Sequence, residues 1–177
     1  MSLTFYTPAP ALADEDRRET AALESGLLRS DVAFELGGIV HHARFALGTS
    51  MGAITLLIGG RQVLVAKEGM GQAPQSSRAR SFCGHAIAAP QLVMCVPDAR
   101  SDDRFAGNPA VTEEPHIRFY AGAPLISISG VALGTLCVLD RAPRAGLRVG
   151  EEQELRRLAD RVMTVARRGL EPQRRRA

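Results

Sequence analysis

The chain has 177 residues, 45% of them hydrophobic, enough for one domain with a real core and short for two. No apolar run approaches the roughly 18 to 20 residues that cross a bilayer, and Asp14, Glu15, Asp16, Arg17, Arg18 and Glu19 interrupt the stretch where a signal peptide would be apolar, so a cytoplasmic protein without a membrane partner is expected. The net charge of +3 is uneven, with 11 Arg against 5 Asp plus Glu in residues 141–177, yet no aromatic residues alternate with these arginines as nucleic-acid stacking platforms do, so a nucleic-acid partner is not expected.

The opening residues, with Pro8 and Pro10 and no periodicity, read as loose. A helix is expected from Ala11 to Leu28, and a second one, capped by Ser30 or Asp31, carries Leu36, Ile39, Val40, Ala43 and Leu47 at three- and four-residue steps before Gly48 stops it. "MGAITLLIGGRQVLVAKEG" reads as an antiparallel hairpin turning at Gly59 and Gly60, and "GMGQAPQSSRAR" as a surface loop. "SFCGHAI" begins a short helix, and "QLVMCVPDA" is a strand halted at Pro97. "RSDDRFAGNPAVTEEP" is an irregular connection with one helical turn at "DDRF", long enough to suggest a binding loop. "HIRFYAGAPLISISGVALGTLCVLD" gives two strands about Ser129 and Gly130. The last helix, "GEEQELRRLADRVMTVARRGL", has acidic residues first and arginines last, which suits the helix dipole. Consecutive strands joined by tight turns, with helices at both ends, predict an α+β fold built on an antiparallel sheet.

Three cysteines, Cys83, Cys95 and Cys137, form no CxxC pair and leave an odd count, which suits a reducing compartment. Cys83 and His85 invite a thiolate–imidazole reading, but i and i+2 share a face only in a strand, so convergence requires a junction; the alternative is that Phe82 and Cys83 are buried while His85 lines or caps a pocket. A metal site from His85, His116 and Asp98 has no i, i+4 pair behind it, and no metal is expected. His116, Arg118 and Tyr120 alternate along the expected strand and should share one face. On a pocket floor, Arg118 would pair with a carboxylate or phosphate while His116 and Tyr120 orient it; on the outer face, Arg118 would be a structural partner of the loop carrying Asp98, Asp102 and Asp103. Gly122 and Gly134 inside strands mark a bulge or a close approach, with packing of the terminal helices the plainer cause. Leu155, Leu158, Val162 and Val165 form a seam for the sheet or for a second subunit.

The runs "SFCGHAI", "VPDA", "DDRFAGNPAV", "PHIRFYAGAPL" and "GVALGTLCVLDRAPR", in this order, resemble GAF domains of the bacterial kind found with histidine kinases and diguanylate cyclases. The resemblance implies a GAF-like (profilin-like) central antiparallel sheet of about six strands, with N- and C-terminal helices on one face and a loop-covered pocket on the other. It implies a single domain over residues 13–168, between a disordered tail at 1–12 and an Arg-rich tail at 169–177. It also implies a non-enzymatic sensor for an unidentified small molecule, a homodimer through the terminal helices, and a separate signalling partner protein; the cofactor is unknown. The expected ligand-binding residues are Phe82, Cys83, His85, Asp98, Asp103, Phe105, His116, Arg118 and Tyr120. The enzymatic alternative is the free methionine-(R)-sulfoxide reductase, which shares the GAF fold. Cys83 matches one of its cysteines, but Phe119 stands where its other essential cysteine is found. Cys95 and Cys137, both in apolar strands, read as inert thiols. A ligandless dimerisation module is the third reading. A bilin attachment site would have His directly after the cysteine, whereas Gly84 intervenes here.

Overall fold

The computed structural model describes residues 5–73 and 75–170. Six strands form one antiparallel sheet: β1 (Met51–Ile58), β2 (Arg61–Glu68), β3 (Gln75–Ser77), β4 (Met94–Val96), β5 (Phe119–Ile126) and β6 (Ala132–Asp140), in the spatial order β3-β2-β1-β6-β5-β4. The two predicted hairpins form, with Gly59 at φ 55° and Gly130 at φ 77° supplying the left-handed backbone their turns need. The α+β architecture read from the sequence is the one observed.

Strand alternation separates two apolar layers. Ile54 and Leu56 of β1, Ala121, Ala123 and Leu125 of β5, and Leu136 and Val138 of β6 face the helices; Met51, Ala53 and Leu57, Tyr120, and Cys137 and Leu139 face the other way. The helical layer contains α1 (Glu15–Leu23), α2 (Ala33–Leu47) and α5 (Glu151–Leu170). Leu155, Leu158, Val162 and Val165 of α5 are buried in this layer, each worth roughly 2 kcal/mol as a fully buried aliphatic side chain. Arg144 ties the layer at one corner, donating to the last carbonyl of α2 at Leu47 and to Glu151 at the start of α5, with its guanidinium over the Phe119 ring.

Several boundaries differ from expectation. Helix α1 is shorter than the span Ala11–Leu28, because the chain reverses at Gly26 (φ 82°), which lies against the carbonyl of Ala166 in α5. Ser30 and Asp31 sit in a 3-10 turn rather than capping α2. The expected surface loop contributes β3 to the edge of β2, and Asn108 caps an unforeseen short helix, α4 (Pro109–Thr112), by accepting from the Ala110 amide. Residues 5–12 are not a loose tail: Thr7 and Ala9 donate to the carbonyls of Arg104 and Ala79, and Phe5 accepts from Gly107. Residues 1–4, and 171–177 of the Arg-rich tail, lie outside the described residues; Gly169 and Leu170 of that tail end α5.

Candidate functional site

On the face of the sheet opposite the three long helices lies a cavity of about 600 Å³. Its floor is Ala53 and Thr55 of β1, Tyr120 of β5 and Cys137 and Leu139 of β6. Its wall and roof are Phe82 and Cys83 of α3 (Phe82–Ala86) and the start of α4 at Asn108, Pro109 and Ala110, with Ile117 beyond it. Gln62, Arg80, Glu113, Glu114 and Arg141 also line it. Ser81 starts α3 by accepting from the Gly84 amide at 2.9 Å, and this local cap turns the Cys83 side chain down onto the sheet.

The base of the cavity is a sulfur and hydroxyl cluster. Cys83 Sγ accepts from Thr135 Oγ1 at 3.0 Å and from the Tyr120 hydroxyl at 3.4 Å, and lies 3.9 Å from Cys137 Sγ. Burial alone would push the Cys83 thiol up, but its hydrogen bonds with Cys137, Thr135, Thr55 and Tyr120 outweigh it and bring the group below the usual thiol range. The same hydrogen bond to Cys83, together with burial, pushes Cys137 well above the usual thiol range. Burial and the nearby sulfurs raise Tyr120 likewise, so its hydroxyl stays protonated and donates. Tyr120 reaches Cys83 by leaning over Gly122, two residues along the same strand, where any Cβ would overlap the phenol. Gly122 therefore serves a side chain of its own strand, and Gly134 serves the close approach of the Thr55 carbonyl in β1; neither accommodates the terminal helices.

Of the nine residues singled out in the sequence, Phe82, Cys83 and Tyr120 line the cavity and six do not. Phe105 is fully buried behind Phe82, stacked on it with centroids 4.0 Å apart. His85 turns away to the edge of Phe105 and donates from Nε2 to the Thr7 carbonyl at 2.9 Å; burial, ahead of the other influences, lowers its pKa, so it anchors the N-terminal segment as a neutral ring and forms no pair with Cys83. Asp98 accepts from the Arg100 amide and pairs with its guanidinium, which lowers its pKa, and Asp103 is exposed. The expected row of His116, Arg118 and Tyr120 does not exist. His116 has φ 58°, so the strand starts only at Phe119; His116 is half exposed beside Glu114, and Arg118 turns back to donate to the carbonyls of Val111 and Ile117. Sequence reasoning missed the partnership of Cys83 with Cys137 and Thr135, because these residues are more than fifty positions apart and nothing local signals their contact.

Among the described residues no cluster of three His, Cys, Asp or Glu side chains could hold a metal ion, and no helix is long and apolar enough to cross a membrane. The GAF domain family model matches residues 36–165, most of the chain. The chain belongs to the GAF domain family. This GAF domain is 40% identical over 156 residues to a cyclic di-GMP phosphodiesterase of Pseudomonas aeruginosa, a match covering 87% of this chain and 26% of that protein. The chain thus spans about a quarter of that curated relative. Its fold is similar to the type II free methionine-R-sulfoxide reductase of Thermoplasma acidophilum (TM-score 0.65, 13% identity, 80% of this chain and 96% of that one). It is similar also to the GAF domain of an Acinetobacter phosphoenolpyruvate-protein phosphotransferase (TM-score 0.64, 17% identity, 89% and 95%).

Proposed function

We propose that this GAF domain is a non-enzymatic cytoplasmic sensor that binds a small molecule in the cavity over β1, β5 and β6 and signals through its terminal helices. The observation that carries the reading is the cavity itself. Its volume of about 600 Å³ falls within the range of about 300 to 1,000 Å³ typical of small-molecule sites, and its lining mixes apolar walls with a few polar groups. One of these, Gln62 Oε1, is buried without a hydrogen-bond partner, an acceptor that a ligand N–H or O–H would satisfy. The 40% identity to part of a cyclic di-GMP phosphodiesterase supports a regulatory role in cyclic di-GMP signalling, with a separate partner protein or domain reading the helices. The three free cysteines suit the reducing cytoplasm.

Signalling requires that the ligand bind one helix arrangement more tightly than another. A route exists from the cavity to α1. Arg80 and Ser81 line the cavity, the neighbouring Arg78 donates to Glu15 of α1, and Arg18 of the same helix reaches through to the Leu57 carbonyl of β1.

The test is to denature freshly purified protein, identify any released small molecule by mass spectrometry, and add it back. At 100 times its Kd a ligand should stabilise the fold by about 2.7 kcal/mol. No released compound and no thermal shift across a metabolite and nucleotide panel would favour the ligandless dimerisation module. A second reading, turnover of free methionine sulfoxide, draws on the proximity of Cys83 and Cys137. Phe119, where the resemblance places the reductase's other cysteine, faces the helical layer. Turnover by the wild type that is abolished in Cys83→Ser would establish this reading and end the non-enzymatic one.

A further inference from the structure

We propose that Cys83 and Cys137 form a peroxide-sensitive dithiol, in which Cys83 is the attacking sulfur, Cys137 resolves it, and the product is an intramolecular disulfide across the base of the cavity. The sulfurs belong to α3 and β6, 54 residues apart in sequence, and stand 3.9 Å from each other, within reach of a bond of about 2.05 Å by side-chain rotation and a small shift of the five-residue helix. Both line the cavity, which gives a molecule as small as a peroxide a path to them, although the bulk surface does not.

The surroundings distinguish their roles. Cys83 Sγ accepts from the hydroxyls of Thr135 and Tyr120, which stabilise a thiolate at Cys83 in preference to Cys137 and so assign the attacking role to Cys83. The third cysteine, Cys95, is half buried in β4 and its thiol is pushed up by burial, so it serves as an internal control.

In the first step the Cys83 thiolate attacks one oxygen of the peroxide; the S–O bond forms, the O–O bond breaks, and the departing hydroxide or alkoxide takes up a proton to leave as water or alcohol. Cys83 is then a sulfenic acid. In the second step the Cys137 sulfur attacks Cys83; the S–S bond forms, the S–O bond breaks, and hydroxide leaves with the Cys137 proton as water. Two thiols have been oxidised by two electrons and one peroxide reduced. The disulfide joins the roof helix to the floor strand and removes the charged acceptor from the Tyr120 hydroxyl, so the oxidised cavity differs in shape and polarity from the reduced one.

The experiment treats the reduced protein with one equivalent of hydrogen peroxide and maps its thiols by alkylation and peptide mass spectrometry. The expected result is a loss of two hydrogen masses, a Cys83–Cys137 cross-linked peptide that dithiothreitol reverses, and Cys95 still fully alkylated. Cys137→Ala should accumulate a dimedone-reactive sulfenic acid at Cys83, and Cys83→Ala should slow peroxide consumption at least about tenfold. A wild-type map in which Cys83 is oxidised no faster than Cys95, or in which the cross-link is missing, overturns the proposal; this map requires no variant to fold. Release of a natural ligand is measured separately, so the sensor reading stands or falls on other data.

Discussion

Glu15 of α1 accepts hydrogen bonds from Arg18 in its own helix and from Arg78, 63 residues further along, so a single carboxylate holds the first helix to the segment that leads into α3. Arg18 is 1% exposed, and its second guanidinium nitrogen has no hydrogen-bond partner beyond its ion pair with Glu15. The joint therefore depends on the charge of Glu15.

Replacing Glu15 by Gln should destabilise the fold by about 2 to 3 kcal/mol at neutral pH, since two mostly buried guanidinium groups lose their counter-charge. Burial raises the Glu15 pKa, but the Arg78 and Arg18 hydrogen bonds outweigh it and bring it from 4.5 to about 2. A carboxylate with a depressed folded pKa stabilises fully above its unfolded value, and that contribution fades as the pH falls from about 4.5 toward 2. Urea unfolding across this range should show an acid-dependent loss in the wild type that is smaller in Glu15→Gln. Equal slopes in the two proteins would remove Glu15 from the account.

Two glycine substitutions should behave oppositely. Gly134→Ala places a Cβ against the Thr55 carbonyl, where only backbone movement between β1 and β6 relieves the overlap, and should cost about 3 kcal/mol or more. Gly60→Ala meets nothing within 4 Å and should stay within about 0.5 kcal/mol of the wild type. Denaturant midpoints measure both.

Gln62→Leu separates a ligand contact from a structural one. The Gln62 amide donates to the Ser76 hydroxyl at 3.1 Å at the surface, while its buried oxygen has no partner. Its loss should change stability by less than about 1 kcal/mol, yet weaken binding of the cavity ligand about tenfold if that oxygen accepts from it. Isothermal titration and thermal melting decide this together; unchanged affinity would place the ligand elsewhere in the cavity.

Helix α2 presents Phe34 and Phe45, 96% and 82% exposed and three turns apart on one face. We propose that these rings are the contact with a second copy of the chain in the homodimer implied by the GAF resemblance. On this proposal the wild type sediments as a dimer and Phe34→Glu with Phe45→Glu as a monomer, with stability per monomer nearly unchanged; a wild type monomeric at high concentration would exclude this interface.

The sequence determined the main elements and their order. Apolar spacing marked α2 and α5, two glycine-centred turns marked the hairpins, and apolar runs marked their strands. These signals are local, because the periods of helix and strand are fixed by the backbone. The cavity's chemistry was not local. Cys83 meets Cys137 and Thr135 because α3 docks over a particular register of β6, and Arg118 misses the cavity because a left-handed residue at His116 delays β5 by three positions. Contacts between distant segments depend on how whole elements pack and in which register strands pair, so only the tertiary structure decided which of the chemically capable residues share the cavity.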